Sequence, residues 1–435
     1  MQVRQENINI ETTVATAFFT KLFQYLFFIQ FGLITILIIF LTIRGFLSTN
    51  SRTHHFHPSL FYFPLLSSTA LAAIVALLWP PITRHTPSKA IKAAFRLSPF
   101  FTLAAAILLV SIGSAPGLAA GALALIFAII QSLYACWVSQ KFDFTTKIFS
   151  ASLALVPAKI SLLITLSVLT GAIFCCFCIA GIGGATATGT NLDKLFIFVI
   201  LLSLAWTMHV IKNALQVAIS STTYKLFKLG LDRVDDVMTA FADSVKHSMG
   251  SVCIGSALVP VLGLIRGSGR AVSLGAGDAD EMMFSCASCY SGLTDRLVMC
   301  ANRWGFVHVG FSNKGFIQAS ADVWELFRRA GLEHVIDTDL TAVFCFLCGA
   351  TGAALCALLG GSWALVVHKQ YATEVAIYAY LIGYFLVRVA MAWPQACVSG
   401  YYVAYAENPQ SPQFDSTVQD RIREDRIREL ARSQV

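Results

Sequence analysis

The chain has 435 residues, 56% of them hydrophobic and only 13% charged, with mean hydropathy +0.69 and a formal net charge of +7. A soluble domain carries roughly 25% charged residues, so this chain could not cover its own surface in water, which excludes an ordinary water-soluble globule. Only helices and closed barrels satisfy their backbone groups in lipid, and apolar stretches of about 20 residues without period-two alternation exclude the barrel.

The expected fold is therefore all-α, a polytopic transmembrane helix bundle of about ten spans. Residues 1–21 are largely polar, with Arg4, Glu6, Glu11 and Lys21, and read as a cytosolic N-terminal segment. The first apolar run, Leu22–Ile43, is longer than the roughly 7–15 residues of a signal-peptide core and reads as a retained span. Ser59–Trp79 follows, and then the block Leu97–Ser139, too long for one helix, which the turn signal Gly113-Ser-Ala-Pro-Gly117 divides in two. Ile160–Ile182 is the next span, and the glycines from Gly181 to Gly189 are expected to end it in an outer turn. Leu195–Ser220 and Ser248–Ile265 come next. Leu297–Phe316, only moderately apolar and carrying Arg303, His308 and Lys314, is counted as a span facing protein. Leu340–Val367 and Val375–Ala406 close a transmembrane domain over 22–406. The remainder, 407–435, is a charged tail whose mixed signs around Arg421 and Arg426 predict a solvated helix on the cytosolic side.

Charge supports this map. With the N-terminus cytosolic and ten crossings, 20 of the 31 Lys and Arg fall inside, 7 outside and 4 within spans, the asymmetry of the positive-inside rule. Both termini are then cytosolic. GxxxG patterns at Gly117–Gly121 and Gly263–Gly267, and the small-residue run Gly349–Gly361, predict close helix contacts.

Enzyme signatures such as HExxH, GxSxG, Walker A and a dinucleotide glycine pattern are missing, so no enzyme, cofactor or metal is expected. His54, His55 and His57 lie on one short loop without a carboxylate, and Cys286, Cys289 and Cys300 lack a convincing fourth ligand for zinc. Most of the 12 cysteines lie in apolar stretches, where Cys acts as a small hydrophobe. The polar groups inside spans are the informative ones. Trp206, His209, Asn213 and Gln216 fall at i, i+3, i+7 and i+10, one face of a lipid-embedded helix that needs protein or water opposite it. Arg388 lies near the middle of the last span, where a charge is costly unless paired or hydrated. Tyr134 and Trp137, with Gln131, offer a second stripe, and Tyr384 and Trp393 flank Arg388. These nine residues, Trp206, His209, Asn213, Gln216, Tyr134, Trp137, Tyr384, Arg388 and Trp393, are the candidate substrate pathway. Each also has a structural reading, as interhelical hydrogen bonding, packing or interfacial anchoring.

Three segments carry a resemblance. HVIKNALQVAIS (His209–Ser220), after Trp206, is one. HSMGSVCIGS (His247–Ser256) is the second, with GSxxxGS through Gly250, Ser251, Gly255 and Ser256. The third is NRWGFVHVGFSNKGFIQASADVWELF (Asn302–Phe327), with Asn302, Arg303, Gly315, Phe316, Ser320, Ala321 and Asp322 at the matching positions. In that order they resemble the choline transporter-like family of eukaryotic membrane proteins. The resemblance implies a ten-helix fold and facilitated or proton-influenced movement of choline or ethanolamine, with lipid and a small organic cation, not nucleic acid, as partners. It also implies an integral protein of the plasma membrane, or of an organelle. Departures stand at His209, where the family often has an acid, at Ser221, where it has glycine, and after the last span, where Glu407 is the acid remaining. A quaternary ammonium donates no classical hydrogen bond and is held by aromatic faces. Tyr378, Tyr401 and Tyr402 add to the aromatic residues available. The rival readings are a non-transporting membrane scaffold or lipid-associated protein of the same fold, and a transporter of another solute.

Overall fold

The computed structural model describes residues 2–49, 58–157, 159–188, 190–230, 237–275, 301–312 and 314–433. Among them every regular element is helical. The helices are α1 (Gln2–Thr49), α2 (Pro58–His85), α3 (Pro87–Ile112), α4 (Ala115–Val138), α5 (Phe142–Ala154), α6 (Ile160–Thr188), α7 (Asn191–Leu229), α8 (Val237–His247) and α9 (Met249–Gly275). After residues 276–300 follow α10 (Gly305–Ser312), α11 (Phe316–Arg329), α12 (Glu333–Thr338), α13 (Thr341–Val367), α14 (Ala372–Ala390), α15 (Ala392–Glu407) and α16 (Thr417–Ser433). His54, His55, His57, Cys286, Cys289 and Cys300 lie outside the described residues.

Eight helical runs are long and apolar enough to cross a bilayer, and α8 with the first half of α9, bent by 81°, makes a ninth, broken candidate. The predicted division of the block 97–139 is realised as written: Gly113 caps α3 at φ 75, its N–H bonding Val110 O at 3.1 Å, and the Ser114 side chain caps α4 by accepting from Gly117 N at 3.1 Å. Leu297–Phe316 differs from the expectation. Its described part holds only the eight-residue α10 between turns. At 1.5 Å per residue that is about 12 Å, against a hydrocarbon core of about 30 Å. Asn302 and Lys314 of this stretch brace a helical hairpin with α11, through Ser320 and Asp322.

The chain divides into two compact units. The first comprises Met1–Phe28, Gln216–Ile336 and Ala396–Asp415; the second comprises Ile29–Leu215, Asp337–Gln395 and Ser416–Val435.

In the second unit α13 and α14 form the central pair, with α2, α3 and α6 packed around them and α4 against α3. The reason is side-chain size. A Cβ at Gly352 would lie 2.5 Å from Val387 Cγ2, and one at Gly383 would lie 2.8 Å from the Gly352 carbonyl oxygen. Helices have no hydrophobic drive to associate within lipid, so this approach of backbones supplies the packing contact instead. The glycines 181–184 also depart from expectation. They lie inside α6, which continues to Thr188, and α1 packs on them: a Cβ at Gly184 would meet Leu41 O at 2.3 Å, and one at Gly45 would meet Gly184 Cα at 2.6 Å. Leu123, Leu133, Ile173 and Leu202 project outwards, as a lipid-facing belt requires. The tail helix α16 buries Val418 and lays Arg421 over the Phe144 ring at 5.3 Å, so one of its faces is docked on α5.

In the first unit the motif glycines are again contact points. A Cβ at Gly250 would lie 2.3 Å from Thr20 O, and one at Gly255 would lie 2.6 Å from Phe306 Cζ. Asn302 ties α10 to α11: its Nδ2 donates to Ser320 O at 2.9 Å, while its Oδ1 accepts from Gly305 N at 3.0 Å.

Two substitutions test this packing by unfolding of purified protein in detergent. Gly184→Ala forces a methyl group into the α1 backbone and is expected to cost about 1–3 kcal/mol. Gly32→Ala, with nothing within 4 Å of its new Cβ, is expected to be neutral or to stabilise by up to about 1 kcal/mol. Equal effects at the two positions would remove the close-approach account. Asn302→Ala, which leaves a helix start uncapped and removes the side-chain bond to the Ser320 carbonyl, is expected to lower stability by about 1–3 kcal/mol.

Candidate functional site

The nine pathway candidates do not form one cluster. The structure brings three of them together in the second unit: His209 on α7, and Tyr384 and Arg388 on α14. The His209 ring meets the edge of Phe385 with centroids 5.8 Å apart. Phe385 touches Tyr384 at 5.6 Å, Tyr384 touches Phe346 of α13 at 6.0 Å, and Phe346 touches Phe127 of α4 at 5.9 Å. The result is a row of five rings crossing the unit from α7 to α4. α14 can place its tyrosine and arginine against α13 because Gly349 has no side chain: a Cβ there would lie 2.8 Å from Arg388 Cγ and Cδ and 3.2 Å from Tyr384.

Electrostatically this region is basic. Arg388 is half-buried, and its Nε and Nη1 are solvent-inaccessible with no hydrogen-bond partner among the described residues. Lys212, one turn beyond His209, is buried and donates to Asn213 Oδ1 at 3.1 Å. Lys212 and Arg388 are the charges close enough to act on His209. A carboxylate does meet a cation elsewhere in the unit, where Asp193 accepts from Arg44, Thr188 and Thr190 at the start of α7. Among the described residues Arg388 has no such companion.

The other candidates lie apart from this row. Trp206 is half-buried on α7 and Asn213 is buried one face further along. Gln216 belongs to the first unit, where its Nε2 donates to the Arg303 carbonyl at 3.3 Å. Tyr134 packs on Phe95 and on Trp137, while Trp137 itself is 74% exposed under Lys141, the posture of an interfacial anchor. Gln131, next to them, accepts from the Ser98 hydroxyl at 2.9 Å, with its Nε2 left unbonded. Trp393 is 2% exposed and lines a separate cavity.

The first unit holds a charged cluster that the sequence reading did not assemble. Glu407, at the end of α15, accepts from the Tyr224 hydroxyl at 2.5 Å and from Lys228 Nζ at 2.6 Å, and lies 3.5 Å from His308 Nε2. Lys228 also bonds the Tyr224 hydroxyl at 2.6 Å and sits over the Phe311 ring. The available signal was Tyr224 and Lys228, one turn apart on α7, together with Glu407, the first acid after the last span. Below them Phe414 stacks on Phe227 and meets Tyr401 and Tyr405, fastening the chain that leaves α15.

Residues 122–410, well over half of the chain, match the family described as plasma-membrane choline transporter. Curated relatives are fungal proteins named PNS1. The one from Mycosarcoma maydis is 26% identical over 243 residues, 52% of this chain and 45% of its own. That from Cryptococcus neoformans is 28% identical over 185 residues, 40% and 33% of the two chains, and that from Debaryomyces hansenii is 24% identical over 236, 50% and 44%. The matches thus span less than half the length of these curated relatives. With all three resemblance segments inside the matched range and eight helices able to cross a bilayer, this chain belongs to the plasma-membrane choline transporter family, whose members are multi-pass membrane transporters.

Proposed function

We propose that the chain moves choline or a related organic cation across the plasma membrane, with both termini in the cytosol and no catalytic step. The observation that carries this reading is the row His209, Phe385, Tyr384, Phe346 and Phe127, five half-buried ring systems in contact within one unit. A quaternary ammonium binds to ring faces, where the quadrupole is negative, at about 0.5–2 kcal/mol per ring, and needs no hydrogen-bond acceptor. Gly349 of α13 lets Tyr384 and Arg388 pack closely against that helix, which holds the tyrosine in the row.

A second reading has its own observation. The buried N–H groups of Arg388, with Lys212 and His209 nearby, favour a solute that carries a negative group. Removing the arginine charge separates the two readings by sign. If the solute is a cation, Arg388→Gln removes a repulsion and is expected to lower the KM for choline several-fold. If the solute is anionic, the same change removes its partner and abolishes uptake.

The measurement is radiolabelled choline flux into liposomes containing the purified chain, with Tyr384→Ala and His209→Ala beside it. Saturable flux is expected, reduced about tenfold by Tyr384→Ala, which takes one ring out of the row. Absence of saturable flux would leave a non-transporting membrane protein as the better account, and flux of another solute that excess choline fails to compete would leave a different substrate.

A further inference from the structure

Away from the ring row, a second cavity of the same unit has a lining the transport reading does not use. It has a volume of about 500 Å3 and lies between the C-terminal end of α2 and the N-terminal start of α6, with Trp393 in its wall. We propose that this cavity is a binding site for a phosphate-bearing ligand.

The polar groups that face it are donors or cations. Arg84 stands exposed at its edge, one Nη2 hydrogen bond to the Val156 carbonyl at 3.0 Å fixing the guanidinium while leaving other N–H groups to a ligand. His85 follows it. Trp393 is 2% exposed, yet its indole Nε1 is buried without a hydrogen-bond partner among the described residues. Its ring closes the wall of the cavity, while the N–H itself has no accessible surface there. Ser161 contributes a hydroxyl from the first turn of α6, a helix of 29 residues whose N-terminal end carries the positive pole of its dipole. Among the described residues that line the cavity none is a carboxylate. A cation would meet the charge of Arg84 here, whereas a phosphate would find a guanidinium, a hydroxyl and a helix start together.

Size and depth narrow the ligand further. The volume lies within the roughly 300–1,000 Å3 range of small-molecule cavities, and the wall beyond the donors is apolar, with Leu77, Val156 and Ile164. The ligand therefore carries an organic part on its phosphate. α2 is 28 residues long, about 42 Å at 1.5 Å per residue, so its end reaches past the hydrocarbon to the level of lipid headgroups. A phospholipid headgroup and a soluble phosphate ester share the required chemistry.

The test uses the full chain purified in detergent and in nanodiscs, with binding and thermal unfolding as readouts, so that it stands independently of choline flux. The probes are sn-glycerol 3-phosphate in detergent, and nanodiscs with or without phosphatidic acid. Stabilisation by at least one probe is expected. Arg84→Gln, at an exposed position, should weaken that effect about tenfold, and Ser161→Ala, which removes the hydroxyl of the first turn of α6, should weaken it severalfold. Saturation by the soluble ester identifies a metabolite site, and dependence on phosphatidic acid alone identifies a headgroup site. No stabilisation by either probe, equal stabilisation by chloride, or an effect unchanged in both variants would overturn the assignment.

Discussion

In hydrocarbon no hydrophobic force draws one helix towards another, so this bundle depends on how closely its backbones can approach. The contacts made by glycine set the frame. Gly45 of α1 and Gly184 of α6 leave no room for a methyl group between them, and the same holds for Gly352 and Gly383 at the α13–α14 seam. What the chemistry needs follows from this frame. Arg388 and Tyr384 reach the interior because Gly349 yields the volume their stems occupy, and α7 is held against α6 and α14 where Gly171 receives Met208 and Leu386. A larger residue at any of these points would displace a ring or a charge, not merely loosen a contact.

Within that frame the charges are of two kinds. Arg44 has Asp193 with two threonine hydroxyls around it, and Lys228 has Glu407 with Tyr224 and His308. Each of these carboxylates accepts several bonds, as an ion pair at the edge of a bilayer must if desolvation is to be offset. Both pairs sit near the ends of helices, where they fasten one helix terminus to another. Arg388 is the contrast: an interior guanidinium with two N–H groups turned away from water and bonded to nothing described. Structural roles account for the first two. They do not account for the third.

Much of the architecture could be read from the residues because the bilayer leaves few options. The break at Gly113-Ser-Ala-Pro-Gly117 was legible since a glycine at positive φ followed by a capping serine ends one helix and starts another whatever surrounds it. The glycines 181–184 misled for the opposite reason. Glycine in sequence signals a turn and close packing alike, and only the partner, Leu41 on α1, decides between them. Leu297–Phe316 had nearly the composition of a span, but the hydrogen bonds of Asn302 to Ser320 and Gly305 fold it back on itself. The face from Trp206 to Gln216 was legible as a helical stripe, while what lies opposite was not. Phe385 stands far along the chain from His209, and Gln216 spends its amide on the Arg303 carbonyl. Tyr134 and Trp137 have the composition of a binding stripe, and the structure turns Trp137 outwards instead.

The substrate question then reduces to the charge balance around His209. The family resemblance would place a carboxylate there, and a carboxylate beside Arg388 would neutralise it within the protein. With histidine in that position no carboxylate is added there, Arg388 and Lys212 are the cations that act on it, and among the described residues the ring row is the feature that favours a cation. Cation–π attraction of about 0.5–2 kcal/mol per ring is of the same order as repulsion between unit charges several ångströms apart at an effective dielectric near 20. Neither term dominates by magnitude alone, so geometry decides. On the proposed reading, a cation at the His209 end of the row would need a compensating negative charge beside Arg388, carried either on the same molecule or by an accompanying anion.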